Sequence, residues 1–229
     1  MGVARLPGKK LKIIFFIVAL FLIIFQLPHY CYAFDDNDFQ YWNREGIEAK
    51  LAENWKIAIY EEFRFGDNAS SFYYNHTDIG LGYLLDEHFE FSVNYRQVFR
   101  RGNNNWNPEY KPHINGAIKA KWYGFSFKNR SRFVYIMKDN SNNVWRCRNE
   151  ISAAFPFKVS SFDIAPYLTD EIFYDFGNKG GFDENWALIG LKIGFLENLK
   201  GDIYYMRQSY KGSKWKGSNV FGTSLTLMF

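Results

Sequence analysis

The chain has 229 residues, of which 21% are aromatic and 23% charged. Four of its 28 basic residues and none of its 24 acidic ones lie in the first 33, so the remainder carries 24 of each sign. A balanced chain offers a polyanion no net positive field, which excludes a nucleic-acid partner on composition, and this length fits one domain.

At the amino terminus, Arg5, Lys9, Lys10 and Lys12 flank an uninterrupted apolar run from Ile13 to Phe25. Cys31-Tyr32-Ala33 then puts small residues at the two positions a signal peptidase reads. The run is shorter than the roughly 18 to 20 apolar residues of a spanning helix, and Pro28 follows it. Residues 1–33 are therefore expected to be a cleaved secretory signal peptide. Bulky His29 and Tyr30 argue against a lipid anchor at Cys31. With the leader gone, Cys147 has no cysteine partner, so an intramolecular disulfide is excluded.

From Asp38 onward the chain resolves into extended runs, near 38–52, 55–66, 72–85, 89–101, 112–122, 125–137, 143–157, 162–176, 182–195, 199–210 and 218–229. No run has helical periodicity. Short connections (AEN, LDEH, WYG, KVSS, LEN) alternate with longer ones rich in Gly, Asn, Ser and Lys (GDNASS, RGNNNWNPEYK, KDNSNN, FGNKGG, KGSKWKG). That rhythm suits an up-and-down barrel with clipped turns at one end and loose loops at the other.

Within the runs, bulky apolar residues oppose charged ones at period two. Phe89, Phe91, Val93, Tyr95 and Phe99 point one way, and Glu90, Ser92, Asn94, Arg96 and Arg100 the other. Trp55, Ile57, Ile59, Phe63 and Phe65 oppose Lys56, Tyr60, Glu62 and Arg64 in the same manner. A soluble antiparallel sheet shares this alternation, but the supply of aromatics near strand ends fits a membrane girdle. The expected fold is all-β: a transmembrane up-and-down antiparallel barrel with a polar lumen, occupying residues 34–229 as one outer-membrane domain. Eleven runs conflict with the even strand number of bacterial barrels, so ten or twelve strands are expected, with 38–52 outside the wall or one strand unseen. Irregular alternation in PYLTDEIFYDF suggests a β-bulge near Pro166, and Glu61 sits on the face assigned to lipid.

On the polar face, Lys128, Arg130 and Arg132 form one inward ladder, and Arg146, Arg148 and Glu150 another, with Arg96 and Arg100 nearby. Arg64, Lys119, Lys121 and Arg207 extend this set, and Glu62, Asp78, Glu90 and Glu171 are candidate partners. These charges either pair across strands and fill a narrow lumen or line a water-filled pore that binds small anionic solutes. A catalytic alternative uses His76 and Asp78 with Ser70 or Ser71, but no nucleophile elbow surrounds them, and no enzyme activity is expected. No metal-ligand spacing or phosphate loop is present, so neither metal nor cofactor is expected.

The succession YEEFRFGDNASSFYYNHTDIGLGY, FEFSVNYR, RNE, PYLTDEIFY, YYMRQS and NVFGTSLTLMF resembles the domain-of-unknown-function family 2490, a group of predicted outer-membrane barrels. The resemblance covers essentially the whole chain after the leader, and it implies a Gram-negative outer-membrane address with no assigned activity. The arginine ladders are also similar to those of small monomeric porins for acidic oligosaccharides, at the level of class only. Two further alternatives remain at this stage: an outer-membrane enzyme acting on lipid or envelope polysaccharide, and a closed structural or adhesion barrel. The expected partners are outer-membrane lipid, the barrel assembly machinery and small anionic solutes, with the protein a monomer. The final stripe, Phe221, Leu225, Leu227 and Phe229, is expected to face lipid, to pair with the first wall strand, and to present an aromatic end as the assembly signal.

Overall fold

A computed structural model describes residues 36–102, 105–139, 141–156, 163–177, 180–212 and 214–229. The expected leader, and the KVSS connection at 158–161, lie outside the described residues. The described chain forms eleven strands: β1 (Phe39–Lys50), β2 (Trp55–Gly66), β3 (Ser71–Leu84), β4 (Phe89–Arg101), β5 (Trp106–Trp122), β6 (Phe125–Lys138), β7 (Val144–Ala154), β8 (Asp163–Asp175), β9 (Gly181–Leu196), β10 (Leu199–Lys211) and β11 (Trp215–Met228). Each pairs with its neighbours in sequence, and β1 also pairs with β11, so the sheet closes on itself.

This corrects the expected strand number. Residues 39–50 belong to the wall, and the described barrel has eleven strands, not ten or twelve. An odd up-and-down count sends the first and last strands in the same direction. The closing ladder is accordingly parallel, running from Phe39 opposite Asn219 to Glu48 opposite Met228. Parallel bonds are slanted but evenly spaced, so they satisfy both edges as an antiparallel seam would. The chain's last residue is tied into the same seam: Phe229 N–H donates to the Glu48 carbonyl at 2.9 Å, and Lys50 N–H donates to the Phe229 carbonyl at 3.0 Å.

Turn chemistry sets the two ends apart. Tyr123 and Gly124 both have positive φ, 47° and 83°, the signature of a two-residue type I′ hairpin whose twist matches its strands. At the other end, Asp67, Asn68 and Ala69 all turn through positive φ. Two of the backbone amides there are held by the Asp38 carboxylate, which accepts from Asp67 at 3.3 Å and from Asn68 at 3.0 Å. Both β1 and β11 therefore start at the long-connection end and finish at the short-turn end.

Proline locates two departures from the expected strands. β5 begins at Trp106, earlier than expected, although it contains Pro108 and Pro112; the β5–β6 ladder skips Lys111 and Pro112, since proline has no N–H to donate. No bulge lies at Pro166. That residue sits one position beyond the last β7–β8 pair, where the missing donor is not required, and the register shift of β8 against β9 falls at Phe173/Tyr174.

The outer face carries exposed apolar residues such as Ile59, Leu81, Val93, Ile114, Ile151 and Ile189. The lumen is mostly polar, with an apolar cluster of Trp42, Met206 and Val220 behind the β1–β11 seam, packed against Trp186, Leu188 and Tyr204, and a second of Tyr73, Tyr74 and Val98. Lumen tyrosines lie across cross-strand glycines: Tyr60 on Gly46, Tyr167 on Gly190, and Tyr204 on Gly222. A Cβ at Gly222 would come within 2.0 Å of the Tyr204 ring. Gly222→Val is expected to destabilise the barrel by about 1–3 kcal/mol through overpacking. A urea titration of the refolded protein measures this, and an unchanged midpoint would mean that the Tyr204 ring is free to leave its glycine.

Candidate functional site

Period-two alternation turns Arg96 and Arg100 of β4, Lys128, Arg130 and Arg132 of β6, and Arg146, Arg148 and Glu150 of β7 to the same side as the buried lumen residues. All eight expected lumen residues are thus brought together inside the barrel. Arg207 is not: it shares the outer face of β10 with exposed Ile203 and Tyr205, and it donates to Asn219 at 3.1 Å and to Asn37 at 2.9 Å.

Most of these cations are paired across strands. Arg148 makes a two-pronged contact with Glu171, at 3.0 and 2.6 Å. Arg130 reaches Glu150 at 2.5 Å and Glu171 at 3.3 Å. Arg146 gathers Asp175, Asp183 and Glu184 at 3.0, 2.6 and 3.5 Å. Arg96 donates to Asp78 at 2.8 Å, and Arg64 pairs with Glu62 at 2.6 Å while lying over Trp42 at 3.5 Å and Tyr74 at 4.3 Å. Nearer the short-turn end, Glu90 binds Lys56 and Lys119, each at 2.6 Å. Two-pronged arginine–carboxylate contacts fix orientation as well as charge.

Three cavities divide the lumen. A vestibule of about 670 Å³ opens toward the long-connection end, where nine cationic side chains and one carboxylate, Glu184, share its wall with Tyr73, Tyr74, Phe173 and Trp186. Cavities of about 280 and 220 Å³ lie deeper, the last among Lys56, Glu48 and Glu90 near the short turns. Arg64, Arg96, Arg132, Arg148 and Trp186 line both the vestibule and the 280 Å³ cavity, so they form the partition between them. Four strands supply the arginines of this girdle, and three of the four are neutralised by Glu62, Asp78 and Glu171. The fourth, Arg132, donates to the Asn115 side-chain carbonyl at 2.6 Å. Asn115 passes the contact on through Asn94, at 2.9 Å, to Asp78, at 2.8 Å.

The alternative catalytic set is spread out. His76 is buried in the lumen with neither ring nitrogen hydrogen-bonded, and its nearest acid is Glu62 at 3.8 Å. Asp78 is engaged by Arg96 and Asn94, and the Ser70 hydroxyl donates to the Asp67 carbonyl within its own turn at 2.6 Å. Among the described residues no group of three or more His, Cys, Asp or Glu side chains has metal-site geometry. Sequence reasoning missed the aromatic half of the vestibule, Tyr73, Tyr74, Phe173 and Trp186. Parity was the available signal for three of them: Tyr74 lies two residues before His76, Trp186 two after Glu184 and Phe173 two after Glu171. Tyr73 carried none, since neighbouring residues share a face only at an irregularity, here the register shift of β2 against β3, where the ladder steps over Tyr73.

A family model described as a protein of unknown function (DUF2490) matches residues 39–218, from the first residue of β1 into β11. No curated protein matches the chain. Among solved structures, the chain is similar to the outer-membrane expressed OmpT of Vibrio cholerae, with 9% identity and a TM-score of 0.40, over 69% of this chain and 56% of that one. It is also similar to the translocator domain of autotransporter NalP from Neisseria meningitidis, with 11% identity and a TM-score of 0.44, over 75% of each chain. The chain thus spans little more than half the length of the first of these.

Glu171 is the keystone of the partition, because two guanidinium groups converge on a carboxylate whose side chain is only 5% exposed. Glu171→Gln is expected to cost about 3–5 kcal/mol by leaving Arg148 buried without its countercharge. The double variant Glu171→Gln/Arg148→Met is expected to regain part of that loss. Urea unfolding of the two variants measures both effects, and equal midpoints for them would deny the coupling.

Proposed function

We propose that this chain, which belongs to the DUF2490 family of proteins of unknown function, is an integral outer-membrane β-barrel and a narrow conduit for small anionic solutes. The observation that carries the membrane reading is the outer wall. Phe39, Trp106, Trp145, Phe176, Phe182 and Trp215 are exposed around the long-connection end, and Trp55, Phe89, Trp122, Tyr123 and Phe195 around the short-turn end, with aliphatic side chains between them. From Phe89 to Phe99 the strand rises about 33 Å, or roughly 25 Å along the axis at a tilt of about 40°. That height matches the apolar band of an outer-membrane barrel.

Polar groups interrupt the band: Asn129 and Ser131 of β6 bond Asn149 of β7, and Asn185 of β9 bonds Asp170 of β8, all on the outer face. Glu45, Glu61, Thr77 and Gln97 lie opposite one another in register across four strands on the outer face. Thr77 donates to Glu61 at 2.5 Å, so this polar row meets part of its own hydrogen-bonding demand. Acidic residues are also tolerated in such walls better than basic ones.

The conduit reading is supported by the cavities, which follow one another from the basic vestibule to the short turns. Their ion-paired walls leave the passage narrow; Glu109 binds Arg100 and Lys111 behind the entrance, and the cations left facing the vestibule still outnumber its one lining carboxylate, which favours anions. The refolded protein is expected to migrate faster on gels before boiling than after, and to give small anion-selective currents in planar bilayers. A silent bilayer would sink the conduit and leave a closed structural barrel.

The parity of the wall supports a topology in which the long connections stand at the cell surface and the short turns face the periplasm. An epitope inserted after Ser141 in the β6–β7 connection is expected to bind antibody on intact cells, and one at Glu53 in the β1–β2 turn only after permeabilisation. The reverse pattern would invert the orientation.

A further inference from the structure

Arg132 lines all three cavities of the lumen. It is 7% exposed, and among the described residues no carboxylate lies within the 4.0 Å of an ion pair. Its one direct hydrogen bond goes to a neutral amide oxygen, that of Asn115. The carboxylates nearest the girdle are already taken, Asp78 by Arg96 and Glu171 by Arg148 and Arg130. A guanidinium does not shed its proton in a protein, and a buried charge without a countercharge is costly. The partition is therefore a neutral frame with one spare positive charge, on a side chain that all three cavities share.

The groups around that charge define what it would hold. Arg132, Val134 and Ile136 are successive inward positions of β6, climbing from the partition into the vestibule, and the latter two are buried and apolar. Phe173 and Trp186 share the vestibule wall with them. His113 lies opposite Val134 on β5, diagonal to Arg132. Its Nδ1 is 3.0 Å from the Lys111 carbonyl and carries the proton there, which leaves Nε2 as a buried acceptor with no donor. An anion with further charged oxygens would face that lone pair and the Asp78 carboxylate beyond it, 3.6 Å from Nε2.

We propose that Arg132 is the binding point for the carboxylate of a monocarboxylate with a compact apolar body, which lies against Val134, Ile136 and Phe173. The inference rests on the lumen being reached by small anions, as in the reading above, and it adds the ligand class and the residue that selects it. The guanidinium fork matches a single carboxylate, and the apolar wall above it suits a body that phosphate lacks.

Equilibrium titration of the refolded full barrel in detergent tests this without any current being measured. Benzoate is expected to bind saturably at one site, inorganic phosphate much more weakly. Arg132→Met should weaken benzoate about tenfold or more, the loss of a charged hydrogen-bond pair. Arg132→Lys, which keeps the charge and loses the fork, provides the same test if the Met variant does not fold. Val134→Ser should weaken benzoate and leave the phosphate response alone, whereas Arg207→Gln on the outer face should leave benzoate binding as it is. Equal binding of benzoate by wild type and the Arg132 variant, or phosphate binding as tight as benzoate, overturns the proposal. Benzoate binding at Arg132 in a barrel that carries no current keeps the site and rejects the conduit; anion current without benzoate binding does the opposite.

Discussion

The parallel ladder between β1 and β11 is the contact on which the rest of the barrel depends. Without it, two edges of ten or more residues would present unpaired amides and carbonyls along the whole height of the wall. Such an edge is a template for aggregation in water and has no partner at all in hydrocarbon. Closure also creates an inside. The charged faces of all eleven strands are forced to share one narrow space, which is why so many carboxylates and guanidinium groups meet within hydrogen-bond distance.

That confinement explains the chemistry of the lumen. Charges withdrawn from water must find opposite charges or pay a desolvation cost of several kcal/mol each. Arg148, Arg130, Arg96, Arg64 and Arg146 all do so, most of them with a carboxylate on an adjacent strand or on the same one. The apolar cluster of Trp42, Met206 and Val220 fills the lumen beside the closing seam, with the Arg64 guanidinium lying over Trp42. Against this filled background, the vestibule and its floor at Arg132 are the part of the interior with space and charge left over.

Much of the wall is legible in the amino-acid sequence. Strand limits fall within a few residues because alternation at period two and the Gly- and Asn-rich breaks are local signals, as in β2, β4 and β10. The start of β5 is not legible, because Pro108 and Pro112 mimic a loop. The ladder simply omits a pair at Lys111 and Pro112, a tolerance that depends on neighbouring strands. Eleven extended runs are visible along the chain, but a parity rule that assumes antiparallel closure argues against that number. The inward set of Arg96, Arg130, Arg132, Arg146 and Arg148 is likewise readable, since side-chain parity along a strand requires no knowledge of its partners.

Sequence alone determined which face of each strand is charged, where the extended runs lie and which residues could line a lumen. Those properties follow from spacing along one chain. Only the tertiary structure decided that all eleven runs join one wall, which cations are neutralised and which are not. Arg132 and Arg148 stand directly opposite each other on β6 and β7 and look equivalent in sequence, yet β8 brings Glu171 to Arg148, whereas β5 brings Asn115 to Arg132. Pairing is a property of register between strands distant in the chain, and register is set when the barrel closes.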